Sequence, residues 1–225
     1  MEIQVKDVYR AFDDGSYSPF VLKGVSFNAS PGKPVFIEEA SGSESTTLLN
    51  ILAGLDTPTA GQVLIDGQDP FSLNEKKRTA FRKNHIGYVT RENPLFNDLT
   101  VYMNLELPLI LHEYPRLMRK RIVVSASDRF GITNLLQFHP KDLSAAQVAS
   151  VAVASALICS PEILLIDNLD RELDSNEASG FIRTLVDISN EYNLTAVITS
   201  GHPVSITTQN TYILRDGALI KKETE

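Results

Sequence analysis

A short apolar run, Val35-Phe36-Ile37, leads into the polar loop Glu39-Ala40-Ser41-Gly42-Ser43-Glu44-Ser45-Thr46-Thr47. That loop runs directly into Leu48-Leu49-Asn50-Ile51-Leu52-Ala53-Gly54-Leu55. A buried strand that hands over to a helix through a polar loop is a building unit of a parallel sheet, so this stretch constrains the fold more than any other. The loop has the outline of the phosphate-binding pattern G-x-x-x-x-G-K-[ST] with its chemistry removed. Glu39 stands at the first glycine, Glu44 at the second and Ser45 at the lysine, while Thr46 keeps the hydroxyl position. A helix is expected from about residue 45 to 55, broken by Asp56-Thr57-Pro58-Thr59-Ala60-Gly61.

Strands and helices alternate along the rest of the chain. Ile3 and Val5 alternate with polar neighbours and suggest an edge strand; Val21 to Phe27 reads as another strand, and Asp13-Asp14-Gly15-Ser16 as a turn. Gln62-Val63-Leu64-Ile65-Asp66-Gly67 reads as a strand and tight turn. Residues 73–138 are richer in helical pattern, with Pro94, Pro108 and Pro115 as punctuation and a strand at Ile86-Gly87-Tyr88-Val89. Ser144 to Ile158 reads as a helix of small residues capped by Asp142 or Ser144. Ile163-Leu164-Leu165-Ile166-Asp167 is a continuous apolar strand ending in an acid, as a central parallel strand would be. Phe181 to Tyr192 reads as an amphipathic helix, Thr195 to Thr199 as a buried strand, and Tyr212 to Ile220 as a hairpin with an Asp-Gly turn. The expected class is α/β with a mostly parallel sheet.

The 225 residues and 43% hydrophobic content suffice for one domain with its own core and a small subdomain. A net charge of −7 argues against a nucleic-acid partner held by phosphate neutralisation. The local cluster Lys76, Lys77, Arg78, Arg82 and Lys83 reads as a solvated helix face. Cys159 is the sole cysteine, which rules out an intrachain disulfide and a Cys-based metal site and fits a reducing compartment. The start, Met1 to Lys6, is strand-like rather than a signal peptide, and no apolar run approaches a membrane span. The expectation is a soluble, cytoplasmic chain that reaches a membrane only through a partner.

Taken in order, these segments resemble the ATP-binding-cassette (ABC) ATPases, closest to the lipoprotein-release, macrolide-export and cell-division branch. Val21 to Phe27, Leu48 to Asp56 and Ile213-Leu214-Arg215-Asp216-Gly217 carry the resemblance as framework segments, and it covers nearly the whole chain. It implies a P-loop-type nucleotide-binding domain with a mostly parallel core sheet, an antiparallel β subdomain and a helical subdomain. The core would be residues 1–90 and 139–225, and the helical part about 91–138. It also implies site residues. Phe12 matches the aromatic that stacks on adenine, although ordinary packing explains it equally well. Ser41, Gly42, Ser43, Glu44, Ser45, Thr46 and Thr47 match the phosphate loop, and only Gly42 survives of its glycines. Thr46 and Asp167 match the metal-associated pair and would hold magnesium only with a bound nucleotide. Leu143-Ser144-Ala145-Ala146-Gln147 matches the signature segment, which acts on the site of a facing subunit; Ser144 and Gln147 persist, and Ala145 and Ala146 replace its glycines.

The departures fall on the chemistry. The missing lysine removes charge-assisted bonds worth roughly 1.5–3 kcal/mol each. Glu44, with Glu39, adds negative charge where a triphosphate would lie, at about 4 kcal/mol per contact at a dielectric near 20. Arg91 replaces the metal-coupling glutamine and can neither accept nor ligate, though it can pair with Glu39 or Glu44. Asn168 replaces the catalytic glutamate, a general base worth typically ~10²–10⁴-fold in rate. Ser200 replaces the switch histidine. His202 lies two residues on, either as its substitute or as a turn residue before Pro203, and His85, His112 and His139 read as structural or surface residues. No cofactor is required by this pattern, and ATP and magnesium would bind weakly if at all.

The resemblance then implies a catalytically degenerate ATP-binding-type subunit, cytoplasmic and peripheral on the inner face of the cell membrane. It would dock on a membrane permease through Pro94 to Tyr102, a segment that reads equally as subdomain core. It would pair with itself or with an intact ABC ATPase subunit. The alternatives are a slow but genuine ATP hydrolase using Phe12, Thr46 and Asp167, and a binding module whose old cleft takes an uncharged or cationic ligand.

Overall fold

The computed structural model describes residues 1–11, 20–39, 43–92, 94–204 and 210–222. In chain order the elements are β1 (Ile3–Ala11), β2 (Phe20–Ala29), β3 (Val35–Glu38), α1 (Ser43–Leu52), β4 (Ala60–Ile65), α2 (Glu75–His85), β5 (Ile86–Val89), α3 (Val101–Leu111), α4 (Arg116–Arg129), α5 (Ala145–Leu157), β6 (Ile163–Ile166), α6 (Ser175–Glu191), β7 (Thr195–Ser200), β8 (Thr211–Arg215) and β9 (Ala218–Lys221). Two sheets result. An antiparallel one has the order β2-β1-β4, and a six-stranded one has the order β5-β6-β7-β3-β8-β9, parallel except for β9.

The central strands β3, β6 and β7 are buried on both faces, and the alternation of side chains sorts residues between two cores. Val35 and Ile37 of β3, Ile163 and Leu165 of β6, and Val197 of β7 join a cluster with α1 and the antiparallel sheet. Their neighbours in sequence, Phe36, Leu164, Ile166, Ala196 and Ile198, join the other cluster with α3, α5 and α6. The apolar runs that lacked a period in the sequence are therefore strands with a core on either side. The turn between β8 and β9 is Asp216-Gly217, both at positive φ, as the Asp-Gly signal required.

Several elements differ from the sequence reading. β1 is the middle strand of its sheet, not an edge. The alternation of Ile3, Val5 and Val8 reports one buried face and carries no information about which edges are paired. Helix α1 starts two residues earlier than expected and stops at Leu52, where Gly54 at φ 65° ends it. Helix α6 starts six residues early because Asp174 accepts from the N–H groups of Asn176 and Glu177 and Glu177 returns a bond to Asp174, a capping box ahead of the apolar stripe. The turn expected at Asp13 to Ser16 lies outside the described residues.

Pro108 sits inside α3 rather than between elements. A proline there leaves the carbonyl of Asn104 without its helical donor. Ser155 of α5 supplies one instead, its Oγ donating to that carbonyl at 3.2 Å. The Asn104 side chain holds the preceding loop: its Oδ1 accepts from Phe96 N–H at 2.8 Å, and its Nδ2 donates to the carbonyls of Phe96, Leu99 and Thr100 at 3.0–3.1 Å. This buried amide fixes the segment that joins β5 to the helical part.

α5 owes its small residues to the closeness of β5. A Cβ on Gly87 would stand 2.5 Å from the carbonyl oxygen of Ala156. Gly87→Ala should therefore destabilise the chain by about 1–3 kcal/mol through overpacking, read as a lower midpoint in urea unfolding with an unchanged slope.

Candidate functional site

Parallel α/β sheets place their sites beyond the carboxyl ends of the strands. Here the ends of β3, β6 and β7 meet the N-terminus of α1. Glu39 follows β3, is 5% exposed, and is tied by its backbone N–H to the carbonyl of Ser200 at 3.0 Å. Its carboxylate turns under the first turn of α1. Oε2 accepts from Ser45 N–H at 2.8 Å and Oε1 from Glu44 N–H at 3.2 Å. These are donors that a helix leaves without intrahelical partners, and that elsewhere hold anions.

Glu44, the other acid of the loop, points elsewhere. Burial pushes its carboxyl up from the usual range, a backbone hydrogen bond from Gly217 opposes this, Glu39 and Asp216 raise it further, and Lys23 lowers it. It belongs to the turn between β8 and β9, while the negative charge at the helix start is that of Glu39. Thr47 is buried and bonds back to the carbonyl of Ser43 at 3.0 Å, so it is a helix residue and not a loop donor. Phe12, Ser41 and Gly42 lie outside the described residues.

Deeper in the cleft, the remaining positions bond one another. Ser45 is fully buried, and its Oγ accepts from Nδ2 of Asn168 at 3.2 Å. Asn168 is held at φ 44°, a conformation asparagine tolerates, by bonds from its N–H to Oγ1 and the carbonyl of Thr199 at 2.9 and 3.2 Å. Thr46 Oγ1 donates to Asp167 Oδ2 at 2.7 Å, and Thr199 Oγ1 donates to Oδ1 at 3.3 Å. Burial raises the Asp167 carboxyl; the two hydroxyls and the charge of Arg91 pull it down, and Glu39 pushes it up. Arg91 makes no ion pair with Glu39 or Glu44 among the described residues. It lines the same cleft as Asn168, and its charge is felt at Asp167.

Ser200 donates to Oδ2 of Asp170, which also accepts through Oδ1 from Gly201 N–H at 3.2 Å. Asp170 is 3% exposed and was not singled out from the sequence, although it stands three residues after Asp167 in the same loop. His202 belongs to the turn: its N–H donates to Ser200 Oγ at 3.1 Å and its carbonyl accepts from the same hydroxyl at 2.7 Å. Ser144 caps α5, accepting from Gln147 N–H at 3.3 Å, and Gln147 Oε1 accepts from Ser144 N–H at 2.9 Å. Ala145 and Ala146 fall in its first turn, with no positive φ and hence no strain from their Cβ atoms. Asp142 closes a neighbouring short turn instead, bonded to His139 N–H at 3.3 Å.

The ABC transporter family profile matches residues 22–170. The chain belongs to the ABC transporter family. Over 220 residues this cassette is 32% identical to the lipoprotein-releasing system ATP-binding protein LolD 1 of Rhodopirellula baltica, covering 97% of the chain and 96% of that protein. It is 31% identical to the macrolide export ATP-binding/permease protein MacB of a Shewanella species, over 98% of the chain but only 34% of that longer protein. Its fold is that of an ABC cassette. The dimeric structure of the bacterial ABC transporter cassette MJ0796 superposes with a TM-score of 0.83, at 29% identity and 96% coverage of both chains. A second structure of that cassette, in a post-hydrolysis state bound to ADP and Pi, superposes equally well at 28% identity.

A carboxyl whose folded value is raised binds its proton more tightly in the folded chain, so it favours folding at low pH and that contribution is lost as pH rises through the folded value. For Asp167 the window opens at the ordinary 3.8 and extends upward. Asp167→Asn, which never ionises, should melt at or above the wild-type temperature at pH 7, with the gap closing as pH falls toward 3.8. A thermal melt series across pH reads this directly.

Proposed function

We propose that this chain is an ATP-binding-type subunit of an ABC transporter whose own nucleotide site is catalytically degenerate, serving as the structural or regulatory half of the assembly. The observation that carries the reading is the 3.2 Å bond between Ser45 and Asn168. By the family resemblance these are the positions of the phosphate-binding lysine and the catalytic glutamate. Here two neutral side chains bond each other, with Asn168 Oδ1 left buried and without a partner among the described residues, and these two positions offer neither a cation for a γ-phosphate nor a base for water. Thr46 and Asp167, the metal-associated pair, are bonded to each other. A donor set without a lysine at position 45 or a glutamate at position 168 does not fit magnesium-nucleotide.

The chain works as one nucleotide-binding domain with core residues 1–90 and 139–225 and a helical part at about 91–138. It sits on the cytoplasmic face of the membrane through a permease. Among the described residues no helix is long and apolar enough to cross a membrane. The proposed seat for the permease is the groove between α2 and α3, where Pro94, Phe96, Leu107, Pro108 and Leu111 give an apolar floor and Arg82 and Lys83 a basic rim. Phe96 and Leu111 are each 63% exposed there, which suits capture of a short amphipathic segment. The relatives named above pair an ATP-binding protein with release or export, and one dimeric cassette shares the fold. This chain then dimerises with itself or with an intact cassette. In the mixed pair the less altered segment, Ser144 to Gln147, faces the partner's loop.

The purified chain should release phosphate from ATP at the rate of buffer alone, and should co-purify with a permease or a second cassette when these are co-expressed. Phosphate release above buffer that disappears in Asp167→Asn would instead establish a slow hydrolase. Recovery of neither partner would remove the subunit reading.

A further inference from the structure

We infer that the Glu39 carboxylate is a built-in anion: it occupies the N-terminus of α1 where the fold would otherwise receive a phosphate, and so pairs the Glu44 and Ser45 N–H groups without any nucleotide. The inference rests on the reading of this loop as a degenerate phosphate site, and it adds the group that occupies the helix start in the phosphate's place.

Four observations converge on it. The carboxylate engages consecutive N–H groups of α1, Glu44 and Ser45, one per oxygen, as an inorganic oxyanion would. It is a fixture rather than a surface side chain, because Glu39 is 5% exposed and its backbone is bonded to Ser200 of β7. It stands at the first residue of the loop pattern, a glycine in the resembling family, so the group that fills the cradle comes from the position that usually leaves it open. The neighbouring hydroxyls are also engaged within the chain, Ser45 Oγ accepting from Asn168 and Thr46 Oγ1 donating to Asp167. An acid here does more than repel a polyphosphate. It takes the polyphosphate's place, and an entering anion must first displace a carboxylate already bonded within the chain.

The test compares the full-length wild type with Glu39→Gly, which empties the cradle, and Glu39→Gln, which keeps the shape without the charge. Inorganic pyrophosphate is the probe. In the wild type the Ser45 amide should be protected from hydrogen exchange with no anion present and should not respond to millimolar pyrophosphate. Glu39→Gly should melt roughly 3–8 °C lower, recover on adding pyrophosphate, and bind it at least about tenfold more tightly than the wild type. Glu39→Gln should fall between the two. A wild-type Ser45 amide that exchanges freely, or that pyrophosphate slows, overturns the inference, and this measurement decides it even where Glu39→Gly does not fold. Variants that melt with the wild type and ignore pyrophosphate overturn it as well. The two readings fail separately. ATP hydrolysis by the wild type removes the proposed function, whereas a Ser45 amide that answers to pyrophosphate removes the plug even in a chain that hydrolyses nothing.

Discussion

A helix that begins in the interior must find acceptors for its first N–H groups, and leaving such a donor buried and unpaired costs about 1–3 kcal/mol. In this chain α1 starts at the crowded carboxyl edge of a six-stranded sheet, and Glu39 meets that requirement from within. The consequence spreads outward. With the helix start satisfied, Ser45 is free to turn to Asn168, and Thr46 to Asp167. Those bonds connect α1 to the loop after β6. Thr199 ties that loop to β7, and Ser200 joins β7 to Asp170 of the same loop. The cleft is a closed circuit of side chains that spans three strands.

Asp167 shows the cost of burying an acid at the end of a central strand. It is 1% exposed, and two hydroxyls and the charge of Arg91 do not cancel the effect of its burial. Its ionised form is thus disfavoured by the fold. The residues of the two cores flanking the sheet, from Leu48 and Leu49 on one side to Leu105 and Val151 on the other, do not overlap with the polar circuit. Stability and chemistry are carried by different side chains, so the chemistry can be altered while the scaffold stands.

Much of this was legible in the sequence for a physical reason. Strands buried on both faces write themselves as apolar runs, and β3, β6 and β7 fell where those runs lie. The Asp-Gly turn and the Ser144 cap depend on one or two residues with strong local preferences, and they too could be read. What could not be read depends on contacts distant along the chain. The strand partners of β1, the rescue of Pro108 by Ser155 and the hold of Asn104 on its loop have no local signature. The loop acids are the most instructive case. Charge alone set Glu44 and Glu39 together as repulsive groups, with Arg91 as their counterion. The contacts of the two acids separate them, sending Glu44 to Gly217 and Glu39 to the helix, while the charge of Arg91 is felt at Asp167.

That separation also bears on what restoring single residues can do. Putting lysine at position 45 would place an ammonium on a fully buried side chain now bonded to Asn168, beside a carboxylate that already fills the cradle. Lysine and Glu39 would then pair with each other, and the phosphate position would stay occupied. Putting glutamate at position 168 would set a second carboxylate beside Asp167, at a backbone φ of 44° that glutamate accepts less readily than asparagine. Each substitution is opposed by the residues that surround it here. The substitutions at these positions are therefore coupled through the circuit, and their order matters: the carboxylate of Glu39 has to leave before a lysine at position 45 can have a phosphate to hold.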